Sequence, residues 1–251
     1  MIRALRAVSG AFAIALLVPC TPLGAQETPD TWKFQVELGF NGASGNSSFS
    51  ILRTGAKATH LRTDVAEFEL SGLVRYGQND EKVIANDQRA TMKLDLWPDD
   101  RWSPFIFVDA SRDVIRKLDF RSNGGAGAKY AFWRGERGRG SLSAALIWDY
   151  ENFHVEPNTG GREFERHARW SVRSKIEKTL GGTTTLEQTT FYQPVWNRSA
   201  DWLLTVTNSI STKVLSNASL SVEHEYLHDS VPPPDVRPDD QKFSVILKLS
   251  L

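Results

Sequence analysis

The chain has 251 residues, about one large domain, and its 30 Lys+Arg balance 30 Asp+Glu, which removes the electrostatic case for a nucleic-acid or acidic partner. A mean hydropathy of -0.35 excludes a helical membrane protein but not a transmembrane β-barrel, where only alternate residues meet lipid. Eight tryptophans against two methionines suit interfacial aromatic girdles better than a plastic globular core.

The N-terminus reads as a targeting segment. Arg3 and Arg6 form a basic n-region, Ala11 to Val18 is an apolar run too short to span a bilayer, and Leu23-Gly24-Ala25 offers a small-residue cleavage site. Residues 1–25 are therefore expected to be a cleaved signal peptide and 26–251 the mature domain. Cys20, the single cysteine, precedes the cut, so no disulfide framework is expected. A lipoprotein reading of Leu17 to Cys20 is weaker, because Pro19 stands where a small residue is wanted.

From Trp32 onward the chain alternates with a period of two between turn clusters. Trp32, Phe34, Val36, Leu38 and Phe40 oppose Lys33, Gln35 and Glu37, and Asn41 to Asn46 carries the Gly and Asn of a hairpin. A weaker strand follows over Ser48 to Thr59. Then Ala66, Phe68, Leu70, Gly72, Val74 and Tyr76 oppose Glu67, Glu69, Ser71 and Arg75. A polar loop is predicted over Gly77 to Asn86, then a strand with Ala90, Met92, Leu94 and Leu96 on one face. Further strands are predicted over Pro104 to Val114, Gly125 to Trp133, Leu142 to Glu151, and Phe164 to Ile176, the last after a long loop through Pro157. Gly181-Gly182 turns the chain into Thr183 to Gln193; Pro194 to Ala200 reads as a loop before Trp202 to Val214. Leu220 to His228 and a proline-dense loop, Asp229 to Asp239, come last before the closing strand.

That closing stretch, Asp240 to Leu251, alternates most clearly. Phe243, Val245, Leu247, Leu249 and Leu251 oppose Lys242, Ser244, Lys248 and Ser250, and Ile246 alone breaks the pattern. An unpaired edge would leave backbone groups unsatisfied in lipid, so this strand is expected to pair with Trp32 to Phe40 and close a ring. The fold class is therefore all-β, a transmembrane antiparallel up-and-down barrel of about twelve strands. Soluble sandwiches and lipocalin-like barrels also alternate, with the apolar face inward. Strands of about 9–11 residues favour lipid outside. So do the sorted aromatics, with Trp32, Trp97, Trp102 and Trp133 at one rim and Tyr76, Trp148, Tyr150, Trp196, Trp202 and Tyr226 at the other. Arg166, Gln188, Asn208 and His224 fit the apolar face poorly.

Several short motifs together resemble the salt-induced outer-membrane protein family, a domain of unknown function numbered 481. They are Ser44-Gly45-Asn46 after a Trp-started strand, Tyr76-Gly77, Gly125 to Tyr130, Tyr192-Gln193-Pro194, and Glu225-Tyr226 with Asp229-Ser230, Pro232-Pro233 and Asp239-Asp240. The resemblance spans the mature chain and implies an outer-membrane barrel with, for some members, expression linked to salt. It carries over no catalytic residue.

Three local patterns could carry chemistry. His224 to His228, H-E-Y-L-H, formally matches a zinc-protease signature, which needs a helix; on a strand the two histidines stand ~13 Å apart and Glu225 points the other way. A barrel-embedded lipid hydrolase would need His224 as base, but Ser221 lies on the opposite face and Asn208 on the next strand. Gly124 to Gly127 lacks the helix and the Lys-Ser/Thr pair of a phosphate loop. No enzyme activity, cofactor or metal is therefore expected.

What remains is the lumen. Glu67, Glu69, Arg75, Lys93, Asp95, Lys129, Asp149, Glu151, Glu165, Arg169, Arg173, Lys175, Glu177, Lys213, Glu223, Glu225 and Lys248 point inward on this register. Twelve strands lie between the filled barrel and the open channel, so the set reads either as a narrow pore or as a salt-bridged plug. The expected setting is the bacterial outer membrane, as a monomer partnered by lipid and, during biogenesis, by periplasmic chaperones and the barrel-assembly machinery.

Overall fold

A computed structural model describes residues 30–43, 49–62, 64–79, 82–154 and 164–251. Its twelve strands are β1 (Asp30–Ala43), β2 (Phe49–Arg62), β3 (Ala66–Asn79), β4 (Lys82–Leu96), β5 (Trp102–Asp113), β6 (Leu118–Gly135), β7 (Gly138–Phe153), β8 (Phe164–Leu180), β9 (Thr184–Val195), β10 (Arg198–Leu215), β11 (Ala218–Asp229) and β12 (Asp239–Ser250). Each pairs antiparallel with its chain neighbours, and β12 returns to β1 to close the barrel. Gly181 and Gly182 take φ of 60° and 82°, the left-handed geometry a tight hairpin after β8 requires.

The alternation puts Phe34, Leu38, Leu70, Val74, Ile106, Val108 and Val245 outside, all exposed. In water so large an apolar wall would be an aggregation surface; a hydrocarbon surround covers it. Strands of 12–18 residues exceed what a tilted crossing needs. The excess explains two corrections. Gly77 to Asn86, read as a loop, continues as strand to Asn79 and again from Lys82, with Gln78 paired to Val83. Likewise Pro194 to Ala200 is mostly ladder, with β10 starting at Arg198 and a bulge before Trp202. Beyond the lipid neither face must be apolar, so polar residues continue the strand and the period-two signal fades. The expected signal peptide, residues 1–25, lies outside the described residues, as do most of the loops expected near 41–46 and 155–163.

The join between β1 and β12 is short. Gln35–Gly39 pairs with Ile246–Ser250, and Leu251 N donates to Phe34 O at 2.9 Å. Beyond it the Asn41 carboxamide substitutes for the ladder, its Nδ2 donating to Phe243 O at 2.6 Å. Ile246, which broke the alternation, points inward and is fully buried. It sits against Gly39, where a Cβ would stand 3.0 Å from Val245 O and 3.5 Å from Ile246 Cγ1.

The poorly fitting outer residues are also accommodated. Gln188 Nε2 donates to Asn208 Oδ1 at 3.1 Å, His224 stacks on Phe243 at 4.5 Å, and the Arg166 guanidinium lies 5.5 Å from the Tyr150 ring. Asn208→Leu alone should strand the Gln188 amide and cost roughly 0.6–1.7 kcal/mol. The Gln188→Leu/Asn208→Leu double variant should recover that loss, and a double-mutant cycle by equilibrium unfolding reads the coupling.

Candidate functional site: the barrel lumen

The register that builds the outer wall turns the complementary residues inward. Toward the end opposite the termini, charges tie distant strands together. Arg53 on β2 reaches Glu223 on β11 at 2.5 Å and Glu37 on β1 at 3.4 Å. Lys242 on β12 approaches Asp113 on β5 at 3.6 Å and Glu225 at 3.8 Å. Between the β5–β6 turn and β11 with its following loop, Arg116 meets Asp229 at 3.1 Å and Lys117 meets Asp235 at 3.6 Å. A cavity of about 120 Å³ opens among Arg53, Arg75, Asp113, Arg121, Glu223 and Lys242.

Beside it lies the most buried network. Arg121 grips Asp149 with two bonds, 2.9 and 2.6 Å. Arg169 contacts Asp149 at 3.1 Å, Asp201 at 3.0 Å and Glu151 at 3.8 Å. Charges this deep are costly unless paired. His167 Nε2 lies 2.7 Å from Glu165. Glu151, Glu165 and His167 bring potential metal-ligand atoms within 4.8 Å of one another. Arg121 at 3.4 Å and Arg169 at 3.8 Å already neutralise Glu151, so the chemistry is that of an ion-pair network.

Nearer the termini, Lys57 pairs with Glu69 at 2.6 Å, Lys93 with Asp95 at 2.5 Å, Lys129 with Asp95 at 3.8 Å, and Lys175 with Glu187 at 2.8 Å. Arg139 pairs with Glu177 at 2.8 Å and Lys248 with Glu37 at 3.9 Å. Of the residues assigned inward from sequence, Arg75 holds Asp87 at 2.6 Å. Glu67, Lys213 and Arg173 make no ion pair among the described residues.

Sequence reasoning missed Asp109, Asp113, Arg116, Arg121, Asp201 and Asp229. Arg121 had a usable signal: Leu118, Asp119, Phe120 and Arg121 already alternate apolar and polar ahead of the strand start placed at Gly125. Also missed was an inward apolar group, Phe105, Ala145 and Ile147 with Phe107 packed against it. On β10 the inward positions Thr205, Thr207, Ser209 and Ser211 carry no charge between Asp201 and Lys213, and all four keep partial exposure. The H-E-Y-L-H stretch is strand: His224 and His228 face out, while Glu225 faces Lys242 inside. Ser221 is fully buried, accepting a 2.8 Å hydrogen bond from Ser211 on the side away from His224. The motif therefore gathers neither a metal-ligand set nor a triad.

Residues 36–250 match the sequence profile of a family described as "Protein of unknown function, DUF481". No curated protein matches the chain. Its fold is similar to the NanC porin, with 10% identity over 87% of this chain and 98% of that one, at a TM-score of 0.50. It is equally similar to the COG4313 outer membrane channel from Pseudomonas putida F1, with 11% identity over 87% of this chain and 94% of that one, TM-score 0.50. At such identities the likeness is one of fold.

Proposed function

This chain belongs to the DUF481 family, and we propose that it is a narrow channel of the bacterial outer membrane for small hydrophilic solutes and ions. The observation that carries this reading is the hydroxyl strip of β10, Thr205, Thr207, Ser209 and Ser211. Short hydroxyl side chains leave space that Lys and Arg would fill, and they replace part of a permeant's hydration. The fold shared with porins and channels supports it. A second reading, a closed structural barrel, is favoured by the struts Arg53–Glu223 and Lys242–Asp113, which take space from the lumen.

In this proposal the chain is exported by residues 1–25, assembled by periplasmic chaperones and the barrel-assembly machinery, and works as a lipid-embedded monomer without a catalytic step. The salt-linked role implied by the family resemblance has a physical counterpart at the loop end. Asp235 is 81% exposed, and exposed pairs such as Lys117–Asp235 weaken as ionic strength rises. The purified protein in a planar bilayer should give small ohmic steps that grow with KCl. Silence across salts and voltages would leave the closed barrel.

A further inference from the structure

Arg173 lies midway along β8, opposite Ser143 of β7 and Phe191 of β9. Its situation differs from that of the other arginines set deep in the lumen. Arg53, Arg75, Arg121 and Arg169 each have a carboxylate within 4 Å, at 2.5, 2.6, 2.6 and 3.0 Å. Arg173 has none among the described residues. The carboxylates whose field reaches it are Glu187, Glu69 and Asp95. Each is taken by a lysine: Glu187 by Lys175 at 2.8 Å, Glu69 by Lys57 at 2.6 Å and Asp95 by Lys93 at 2.5 Å.

The surroundings supply dipoles and a ring instead of a counter-ion. Ser143, Ser171 and Thr189 on the same wall are buried. The guanidinium lies 5.3 Å from the Phe191 ring centroid. Its Nε is shielded from solvent yet has no hydrogen-bond acceptor. The ring contact leaves the donors of the guanidinium unspent, and a planar fork of donors suits an oxyanion better than a spherical ion.

We propose that Arg173 is an anion-binding site within the lumen, taking small oxyanions such as phosphate or a carboxylate and setting the anion preference of the channel. This rests on the channel reading above. The test is the reversal potential in a KCl gradient, together with block of the current by inorganic phosphate. R173Q should shift the chloride-to-potassium permeability ratio toward potassium by about fivefold, the partition factor of one unit charge at ~4 Å through water, and should abolish phosphate block. R173K keeps the charge without the fork; it should retain the chloride preference and lose the block, and it serves if R173Q fails to fold. A conducting R173Q with an unchanged ratio, or an R173K blocked as strongly as the parent, overturns the site. A silent parent protein instead removes the channel reading, and chloride NMR line broadening in micelles then decides. Broadening lost in R173Q keeps the site, whereas equal broadening overturns it.

Discussion

Arg169→Ala should be the most damaging single substitution in the lumen, costing about 3–5 kcal/mol in equilibrium unfolding from detergent micelles. The side chain is 3% exposed, and it faces Asp149, Glu151 and Asp201, whose side chains are 0%, 9% and 6% exposed. Arg121 keeps a hold on Asp149 and Arg198 on Asp201. Two cations then face the three buried carboxylates Asp149, Glu151 and Asp201, so one negative charge is left without a partner. Lysine should restore only part of the loss, because one ammonium cannot serve three carboxylates on β7 and β10. Arg139→Ala breaks a pair whose arginine is 69% exposed and should cost no more than ~1 kcal/mol. Equal losses in the two variants would mean that the inner network contributes no more than a surface pair.

Gly127→Ala should destabilise the wall by ~1–3 kcal/mol through overpacking, read as a lowered unfolding midpoint and refolding yield. An added Cβ would collide with Ala144 O and stand 2.7 Å from Ala145 Cα and Cβ. The obstruction is partly backbone, so no rotamer change relieves it; β6 and β7 must part. Phe105 stands opposite Gly127 and Phe107 opposite Gly125 on β5, so the glycines leave room where those aromatic side chains turn inward. Gly72→Ala is the control. Its Cβ would meet nothing closer than Arg89 O at 4.0 Å, and it should be neutral or stabilising by up to ~1 kcal/mol.

The barrel was legible because one physical demand, apolar outside and polar inside, writes the same period of two into nearly every strand. It became illegible where that demand lapsed, as over Gly77 to Asn86 beyond the lipid. The inward direction of Glu223 could be read from its own strand. Its partner could not, since Arg53 lies 170 positions away and meets it only through the curvature of the closed ring. Ile246 looked like an error in the pattern because Gly39, which makes room for it, is on the other side of the join. Arg173 was only one of many inward charges in the sequence. What distinguishes it is that neighbouring lysines hold the carboxylates near it, a property of the folded set and not of any local motif.

The join of β1 and β12 also decides how this cylinder can come apart. Between β1 and β2 the ladder runs over all of Asp30–Ala43, whereas β1 meets β12 over Gln35–Gly39 only. Parting the cylinder along that line surrenders fewer backbone bonds than parting it between β1 and β2. Much of its resistance lies in one isoleucine wedged where a glycine has no side chain, with one carboxamide bolted above it. A wall built this way has a preferred tear line. The same line joins the two strands farthest apart in the sequence, so closing it is what turns a sheet into a cylinder and opening it turns the cylinder back into a sheet.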